Sequence, residues 1–154
     1  MTVSDRSARG EREDASGARL AELVADAGHL VIHREMVPDD PEALAHLLRR
    51  LAQDLRADLV LTTGGTGIGP RDRTPEATAA ACDRLVPGIA EAIRAASLAT
   101  TPYAMLSRAV AGVLGTTLVV NLPGSPGGAA GGWSVVAPVV AHACAQLRGG
   151  DHPV

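Results

Sequence analysis

Residues 58–78 read DLVLTTGGTGIGPRDRTPEAT and are the most informative part of the chain. Asp58–Thr62 has an uninterrupted apolar middle, which predicts a strand covered on both faces. Thr74-Pro75-Glu76 predicts a helix start, with a hydroxyl cap, a proline in the first turn and an acid that the helix dipole favours. In open α/β sheets ligands bind beyond the carboxyl ends of the strands. The glycine loop (residues 64–73) between these elements is therefore the candidate binding segment.

The residues of the glycine loop suit an anionic ligand. Because Gly64, Gly65 and Gly67 carry no side chains, their backbone N–H groups can face a phosphate directly, and Arg71 adds positive charge. Asp72 would repel that phosphate unless a divalent cation such as Mg²⁺ lay between them, so the loop indicates phosphate chemistry with a metal. The simpler alternative is a tight turn in which Asp72 only caps the next helix. The glycine spacing matches neither G-x-G-x-x-G nor a P-loop.

The rest of the chain predicts strands that alternate with helices. Strands are predicted at Thr2–Val3 and Leu30–Ile32, and in a hairpin of Val110–Val113 with Thr117–Val120. Helices are predicted from Gly17 to Gly28, from Pro41 with Asp40 as its cap, in alanine-rich segments from Thr74 to about Ala99, and over Val136–Leu147 with Pro138 near its beginning. This alternation predicts a three-layer α/β domain.

The composition excludes several classes of function. The 154 residues fit one domain and contain no lysine, which excludes P-loop, Schiff-base and PLP chemistry. One Trp, one Tyr and no Phe argue against stacking on nucleic-acid bases, and the net charge of −3 argues against binding DNA or an anionic membrane. No stretch approaches the length of a transmembrane span and no leader opens the chain, so we expect a cytoplasmic protein.

The glycine-loop motif resembles the signature of a known family. Thr62–Gly67, Arg71-Asp72 and Thr74–Thr78 closely match the molybdopterin adenylyltransferase (MogA/MoaB) family. Further matches in the family's order are Ser4-Asp5-Arg6, Asp14–Gly17, Val37-Pro38-Asp39, Leu106-Ser107-Arg108 and Leu122–Pro126. The resemblance implies a single three-layer α-β-α molybdopterin-binding domain over residues 1–148, with a mostly parallel central sheet and a tail at 149–154. It also implies assembly into homotrimers or larger homo-oligomers.

The same resemblance implies a reaction and its residues. Adenylate would pass from Mg-ATP to the terminal phosphate of molybdopterin with release of pyrophosphate, as a step of molybdenum cofactor biosynthesis. The product is the form into which molybdate is inserted, so the downstream molybdate-inserting enzyme is an implied partner. By matching position, Asp72 and Asp39 are the expected catalytic and Mg²⁺-binding carboxylates. The expected substrate-binding residues are Ser4, Asp14, Ser16, Gly64, Gly65, Thr66, Gly67, Ser107, Arg108, Pro123, Gly124 and Ser125.

Two alternative functions remain open from sequence. The same fold could bind molybdopterin, or act as a trimeric scaffold, without adenylylation. A nucleotide-processing domain of the competence-damage type shares the glycine loop, although the Leu122–Pro126 element and the short chain argue against it. Spacing alone also allows Asp39 to be an ordinary loop acid, and allows Asp14 or Ser16 to cap a helix.

The first strand departs from the family pattern. Only Thr2 and Val3 follow Met1 before Ser4, whereas a typical strand has about 5–6 residues. A truncated strand in the middle of a sheet leaves backbone groups of its neighbours unpaired. We therefore expect the true start to lie upstream of Met1.

Overall fold

The computed structural model describes residues 1–4 and 13–150, and its centre is a β-sheet. The strands of the described region are β1 (Thr2–Val3), β2 (Met36–Val37), β3 (Leu59–Thr63), β4 (Arg84–Leu85), β5 (Ala111–Leu114) and β6 (Thr117–Leu122). Their spatial order is β2-β1-β3-β6-β5-β4. The first four in this order run parallel, whereas β5 is antiparallel to β6 and β4 is antiparallel to β5. The sheet is therefore mostly parallel, as predicted.

Helices cover both faces of this sheet. They are α1 (Ala15–Asp26), α2 (Pro41–Gln53), α3 (Thr74–Ala81), α4 (Pro87–Leu98) and α5 (Pro126–Leu147), together with a short 3-10 helix (Pro102–Leu106). α2 and α3 share one buried apolar cluster with Val60 and Val119, while α1, α4 and α5 share a second with Leu118 and Val120. Because successive strand residues point to opposite faces, the two clusters lie on the two sides of the sheet. This confirms the three-layer α-β-α architecture.

Local capping explains where α2 begins. Asp40 Oδ1 accepts hydrogen bonds from the backbone N–H groups of Glu42 at 2.9 Å and Ala43 at 3.2 Å. Pro41 occupies the first helical position, where its missing N–H costs nothing. The predicted cap is confirmed, and the leucines of α2 are buried against the sheet.

The predicted hairpin is confirmed, with β5 and β6 joined at Gly115, whose φ is +59°.

The alanine-rich region after the glycine loop forms two helices separated by a short strand, which its composition does not indicate. α3 ends at Ala81, and a two-residue edge strand, β4, then pairs with β5 before α4 begins. The sequence analysis missed β4, because two residues carry too little pattern to separate a strand from a helix connection.

The predicted strand at Leu30–Ile32 is wrong. The chain instead pairs with β1 at Met36 and Val37, while Leu30 and Ile32 are 85% and 54% exposed. A strand requires a partner, and β1 spans only Thr2–Val3 in the described residues. The apolar segment therefore has strand-like composition but no pairing.

The closing helix begins ten residues earlier than predicted. α5 starts at Pro126, where Ser125 Oγ accepts a hydrogen bond from the backbone N–H of Gly128 at 3.1 Å. A Cβ on Gly132 would lie 2.7 Å from Leu122 Cδ2, so this glycine allows α5 to approach β6 closely. The small residues before Val136 thus belong to a packed helix, and Pro138 lies within it rather than near its beginning.

The length of α5 also corrects the expectation that no stretch reaches a membrane-spanning length. Among the described helices, this 22-residue helix alone is long and apolar enough to cross a membrane by length and composition. Its Trp133, Val136 and Val140 are buried in the cluster between α5 and the sheet. The helix therefore packs one face against the sheet.

A cavity of about 510 Å³ lies at the amino ends of the parallel strands. It separates residues 29–35 from β3, and its apolar lining includes Leu20, Leu59 and Leu61. The Met1 ammonium group borders this cavity and donates to the carbonyl oxygen of Leu61 at 2.9 Å. Burial lowers the pKa of that ammonium group to about 6. The cavity thus lies in line with β1, beside Met1.

Candidate active site at the glycine loop

Gly64 joins three parallel strands at their carboxyl ends. Its N–H donates to the carbonyl oxygen of Leu122, the last residue of β6, at 3.2 Å. A Cβ at this position would overlap the carbonyl oxygen of Val3 at the end of β1, and a Cβ on Gly124 would lie 3.0 Å from Gly64 Cα. With φ at +100°, Gly64 also adopts a conformation that side chains disfavour. The structure therefore brings the predicted residues Gly64 and Gly124 into contact, with Pro123 beside them.

Gly65 brings Asp39 to the loop. A Cβ on Gly65 would overlap Thr74 Oγ1 and would lie 3.1 Å from Asp39 Oδ1. Gly65, at φ +62°, thus leaves a space that a hydroxyl and a carboxylate border. Asp39 follows β2 in sequence and is half-buried, so the pairing of β2 with β1 is what carries it to this position.

Thr74 differs from its predicted role as a helix cap. It is the first residue of α3, the cap position is Arg73, and no side chain there caps the helix. The Thr74 hydroxyl is buried without a hydrogen-bond partner, and the residue is only 1% exposed. A buried hydroxyl without a partner is costly, so this residue stands out from the satisfied polar groups around it. The sequence predicted a capping hydrogen bond for this hydroxyl and therefore did not indicate that it lacks a partner.

Asp72 folds back over the loop instead of capping α3. Its Oδ2 accepts a hydrogen bond from the Gly69 N–H at 2.8 Å. Cβ atoms on Gly67 and Gly69 would lie 2.9 Å and 2.7 Å from the same oxygen. The half-buried carboxylate therefore lies against both glycines, and the alternative in which Asp72 caps the helix is wrong.

Arg108 closes the loop from outside. Its Nε donates to the Gly67 carbonyl oxygen at 2.7 Å, its Nη2 donates to the Asp72 carbonyl oxygen, and its Nη1 pairs with the Glu76 carboxylate. This bond with Arg108 lowers the pKa of Glu76. Ser107, beside it, is half-buried and accepts a hydrogen bond from the Ala109 N–H at 3.4 Å. Contact of Ser107 or Arg108 with a phosphate stays a prediction.

The predicted residues near the N-terminus lie at the neighbouring strand ends. Ser16 Oγ accepts a hydrogen bond from Thr63 Oγ1 at 2.9 Å, one residue before the glycine loop. Asp14 Oδ1 accepts from the Gly17 N–H at 2.8 Å and from Thr2 Oγ1 at 2.9 Å, so it caps α1 and fixes β1. Ser4 is half-buried at the end of β1. Asp5 and Arg6 of the same motif lie outside the described residues.

The remaining predicted positions lie at the rim or within the loop. Ser125 is exposed and caps α5, as described above. Thr66 is buried, and its carbonyl oxygen accepts a hydrogen bond from the Arg108 backbone N–H at 2.9 Å. Ligand contacts of these residues stay predictions.

Asn121 supports the site, and the sequence analysis missed it. Its Nδ2 donates to Thr62 Oγ1 at 3.0 Å and to Thr78 Oγ1 at 2.9 Å, while its Oδ1 accepts from the Val110 N–H at 3.3 Å. These bonds connect β3, β6 and α3 beneath the glycine loop. The available signal was an asparagine in the otherwise apolar strand Thr117–Leu122.

The carboxylates at the loop fit a sparsely coordinated cation. Within residues 1–4 and 13–150, no group of three or more His, Cys, Asp or Glu residues could hold a metal ion. Asp39 and Asp72 instead approach the loop from two sides, with the unpartnered Thr74 hydroxyl beside Asp39. Mg²⁺ is commonly held by one or two carboxylates together with substrate phosphates and water. The donor set fits that mode and not an all-protein cage.

Comparisons with known proteins agree on one family. The family described as "probable molybdopterin binding domain" matches residues 1–142. A molybdopterin adenylyltransferase from Helicobacter pylori is 40% identical over 128 residues, which cover 82% of this chain and 73% of that protein. A molybdenum cofactor biosynthesis bifunctional protein from Synechococcus elongatus is 39% identical over 99% of this chain and 47% of its own length.

A solved structure gives the same result. The molybdopterin biosynthesis enzyme MoaB from Thermus thermophilus superposes with a TM-score of 0.90 at 49% identity, over 96% of this chain and 93% of that one. A CinA protein from Thermoplasma acidophilum superposes with a TM-score of 0.68 at 20% identity, which shows a shared fold alone.

Proposed function

The chain belongs to the molybdopterin-binding domain family, and on that premise we propose that it is a molybdopterin adenylyltransferase of molybdenum cofactor biosynthesis. The enzyme transfers adenylate from ATP to the terminal phosphate of molybdopterin and releases pyrophosphate. Relatives of that name at about 40% identity favour this activity over a non-catalytic binding role. The observation that carries the proposal is the glycine loop at the carboxyl ends of β1, β3 and β6, with Asp39 beside Gly65 and Asp72 beside Gly67 and Gly69.

The reaction needs alignment and charge stabilisation more than covalent help. An oxygen of the pterin's terminal phosphate attacks the α-phosphorus of ATP, and the bond from that phosphorus to the bridging oxygen of pyrophosphate breaks. Backbone N–H groups of Gly65, Thr66 and Gly67 bind phosphate oxygens, because glycines without side chains allow close approach. The Gly64 N–H, which the sequence also suggested for this role, is occupied by the Leu122 carbonyl oxygen. The buried bonds of Asn121 beneath the loop hold it rigid, which lowers the cost of alignment.

Asp39 and Asp72 hold Mg²⁺ in this proposal, together with the substrate phosphates. The ion, when bound, neutralises phosphate charge as it develops in the transition state. Asp72 is oriented by its bond from the Gly69 N–H, and Asp39 by its position beside Gly65. Ser4, Ser16, Ser107 and Ser125 then supply hydroxyl groups around the substrates.

The surroundings of the site support self-association. The 3-10 helix exposes Tyr103 and Met105 by 76% and 66%, and Ile68 of the glycine loop is 68% exposed. Large exposed apolar side chains such as these would be buried in a contact between chains. We propose a homotrimer or larger homo-oligomer in the cytoplasm, which passes its product to the molybdate-inserting enzyme.

The test is incubation with molybdopterin and Mg-ATP, followed by assay of pyrophosphate and adenylyl-molybdopterin. Asp72→Asn should lower turnover about a thousandfold and leave pterin binding intact. The asparagine Oδ1 can still accept the Gly69 hydrogen bond, so the loop keeps its turn while the charge is lost. Asp26→Asn, at the exposed end of α1, is the matched control and should retain full turnover.

Pterin binding without pyrophosphate release by the unaltered protein would instead identify a binding protein. Full turnover in the Asp72→Asn variant would remove Asp72 from the mechanism.

A further inference from the structure

Arg108 reaches both ends of the outer part of the glycine loop. Its Nε donates to the Gly67 carbonyl oxygen, its Nη2 to the Asp72 carbonyl oxygen, and its backbone N–H to the Thr66 carbonyl oxygen. Arg108 follows the 3-10 helix and is 36 residues away from Asp72 in sequence. One distant residue therefore closes the loop from Thr66 to Asp72.

The guanidinium group of Arg108 has a third anchor on α3. Its Nη1 pairs with Glu76, in the first turn of that helix. The Glu76 carboxylate compensates the positive charge of Arg108, so this charge is already paired within the protein. An arginine presents five donors in a rigid plane and can serve three acceptors at once, whereas the single ammonium of a lysine cannot reproduce this geometry.

The outer residues of the loop are exposed to solvent. Ile68 is 68% exposed, and Pro70 and Arg71 are exposed as well. Within the loop, the Asp72 N–H donates to the Gly69 carbonyl oxygen at 3.0 Å and the Asp72 carboxylate accepts from the Gly69 N–H. These local bonds shape the turn, but they do not fix its position relative to the sheet.

We propose that Arg108 is a positioning residue that holds Gly67 and Asp72 at a fixed separation, and so aims the Asp72 carboxylate and the loop N–H groups at the reacting phosphates. This inference rests on the proposed adenylyl transfer and adds a residue to it. In this proposal Arg108 acts through the loop backbone, and this role replaces the direct phosphate contact that the sequence suggested.

The test compares Arg108→Lys with Arg94→Lys. Arg94 is a half-buried arginine whose Nη1 donates to the Ala109 carbonyl oxygen at 2.8 Å, so it controls for the loss of an arginine–carbonyl bond in the same region. Arg108→Lys should lower kcat about a hundredfold, because a displacement of about 1 Å has that effect, while KM for ATP stays within about threefold. Arg94→Lys should change neither constant by more than about twofold.

Amide hydrogen exchange without substrates gives a readout that is independent of turnover. Arg108→Lys should speed exchange across residues 66–72 about tenfold or more, and Arg94→Lys should leave it unchanged. If Arg108→Lys fails to fold, Glu76→Gln removes the charge of the third anchor at an exposed position and should produce a smaller increase in the same segment.

Unchanged exchange at residues 66–72 in a folded Arg108→Lys variant would overturn the inference. A large rise in KM for ATP with kcat unchanged would also overturn it, and would make Arg108 a direct phosphate ligand. If the unaltered protein transfers no adenylate, the proposed function fails, and the exchange measurement still decides whether Arg108 holds the loop.

Discussion

The two ends of the central sheet are built differently. At the carboxyl ends of β1, β3 and β6, Gly64 contacts the neighbouring strand end and turn closely enough to exclude any side chain. At the amino ends, a cavity of about 510 Å³ separates β3 from residues 29–35. Both ends belong to the same strands, so strand composition does not explain the difference. The close contacts lie where β1 pairs with β2 and β3.

We expect the largest loss of stability from Gly64→Ala, a substitution at the closely packed carboxyl ends of the strands. The new Cβ would overlap the Val3 carbonyl oxygen, a backbone atom that cannot rotate away, and φ is +100°. The two penalties together should lower the free energy of unfolding by about 3 kcal/mol or more, and turnover should be abolished. Urea unfolding with activity assays measures both.

Gly127→Ala is the control for that substitution. No atom lies within 4 Å of a Cβ at this position, and α5 is helical there. Alanine is a better helix former by about 0.5–1 kcal/mol, so stability should rise. A Gly64→Ala variant as stable as the unaltered protein would show that the contact with β1 is looser than described.

The cavity at the amino ends of the strands should affect how the free energy of unfolding depends on pH. In a chain that begins at Met1, burial lowers the pKa of the Met1 ammonium group from 8.0 to about 6, so between these values the unfolded chain binds more protons than the folded one. Stability should therefore rise by about 2 kcal/mol from pH 6 to pH 8 on account of this group, and this gain is lost again as pH falls back to 6.

The measurement is urea unfolding across that range on protein shown by mass spectrometry to retain Met1. Acetylation of the amino group removes its titration, so this part of the pH dependence should disappear. The same pH dependence in acetylated protein would show that other groups cause it and would contradict the prediction.

We expect the smallest changes in stability from valine substitutions at two threonines of α3. Thr74 and Thr78 are both buried, but Thr74 has no hydrogen-bond partner and Thr78 accepts a bond from Asn121. Thr74→Val should leave stability unchanged or raise it by about 1 kcal/mol, because it removes an unsatisfied hydroxyl. Thr78→Val should lower stability by about 1–2 kcal/mol, because it deprives Asn121 Nδ2 of one acceptor. Equal losses in thermal unfolding would contradict the contrast.

Much of the fold was predictable because it depends on local patterns. The cap at Asp40, the start of α3 after the glycine loop and the hairpin around Gly115 each depend on residues close in sequence. The strand at Leu30–Ile32 was wrong and β4 was missed, because a strand also requires a partner that lies far along the chain. Composition signals a tendency to pair, and the partner decides whether pairing occurs.

The candidate site likewise combines features that the sequence predicted with features that only the structure shows. The motif identified the glycine loop and the carboxylates of Asp39 and Asp72, since these residue types suit phosphate and magnesium chemistry wherever they meet. Three findings needed the structure: Asp72 turns back onto Gly69, Thr74 has no partner, and Arg108 bonds to the loop carbonyls. Each depends on side-chain direction.

Sequence alone was sufficient for the family, the alternation of strands and helices, and the chemistry of the glycine loop. The energies of helix caps, glycine turns and apolar periodicity depend on residues close together in the chain. The sequence therefore predicts these features directly. Strand pairing, the approach of Gly64 to Val3 and the closing of the loop by Arg108 were decided only in the folded chain. These features join segments far apart in sequence, and their energies depend on contact distances that exist only after the layers have packed.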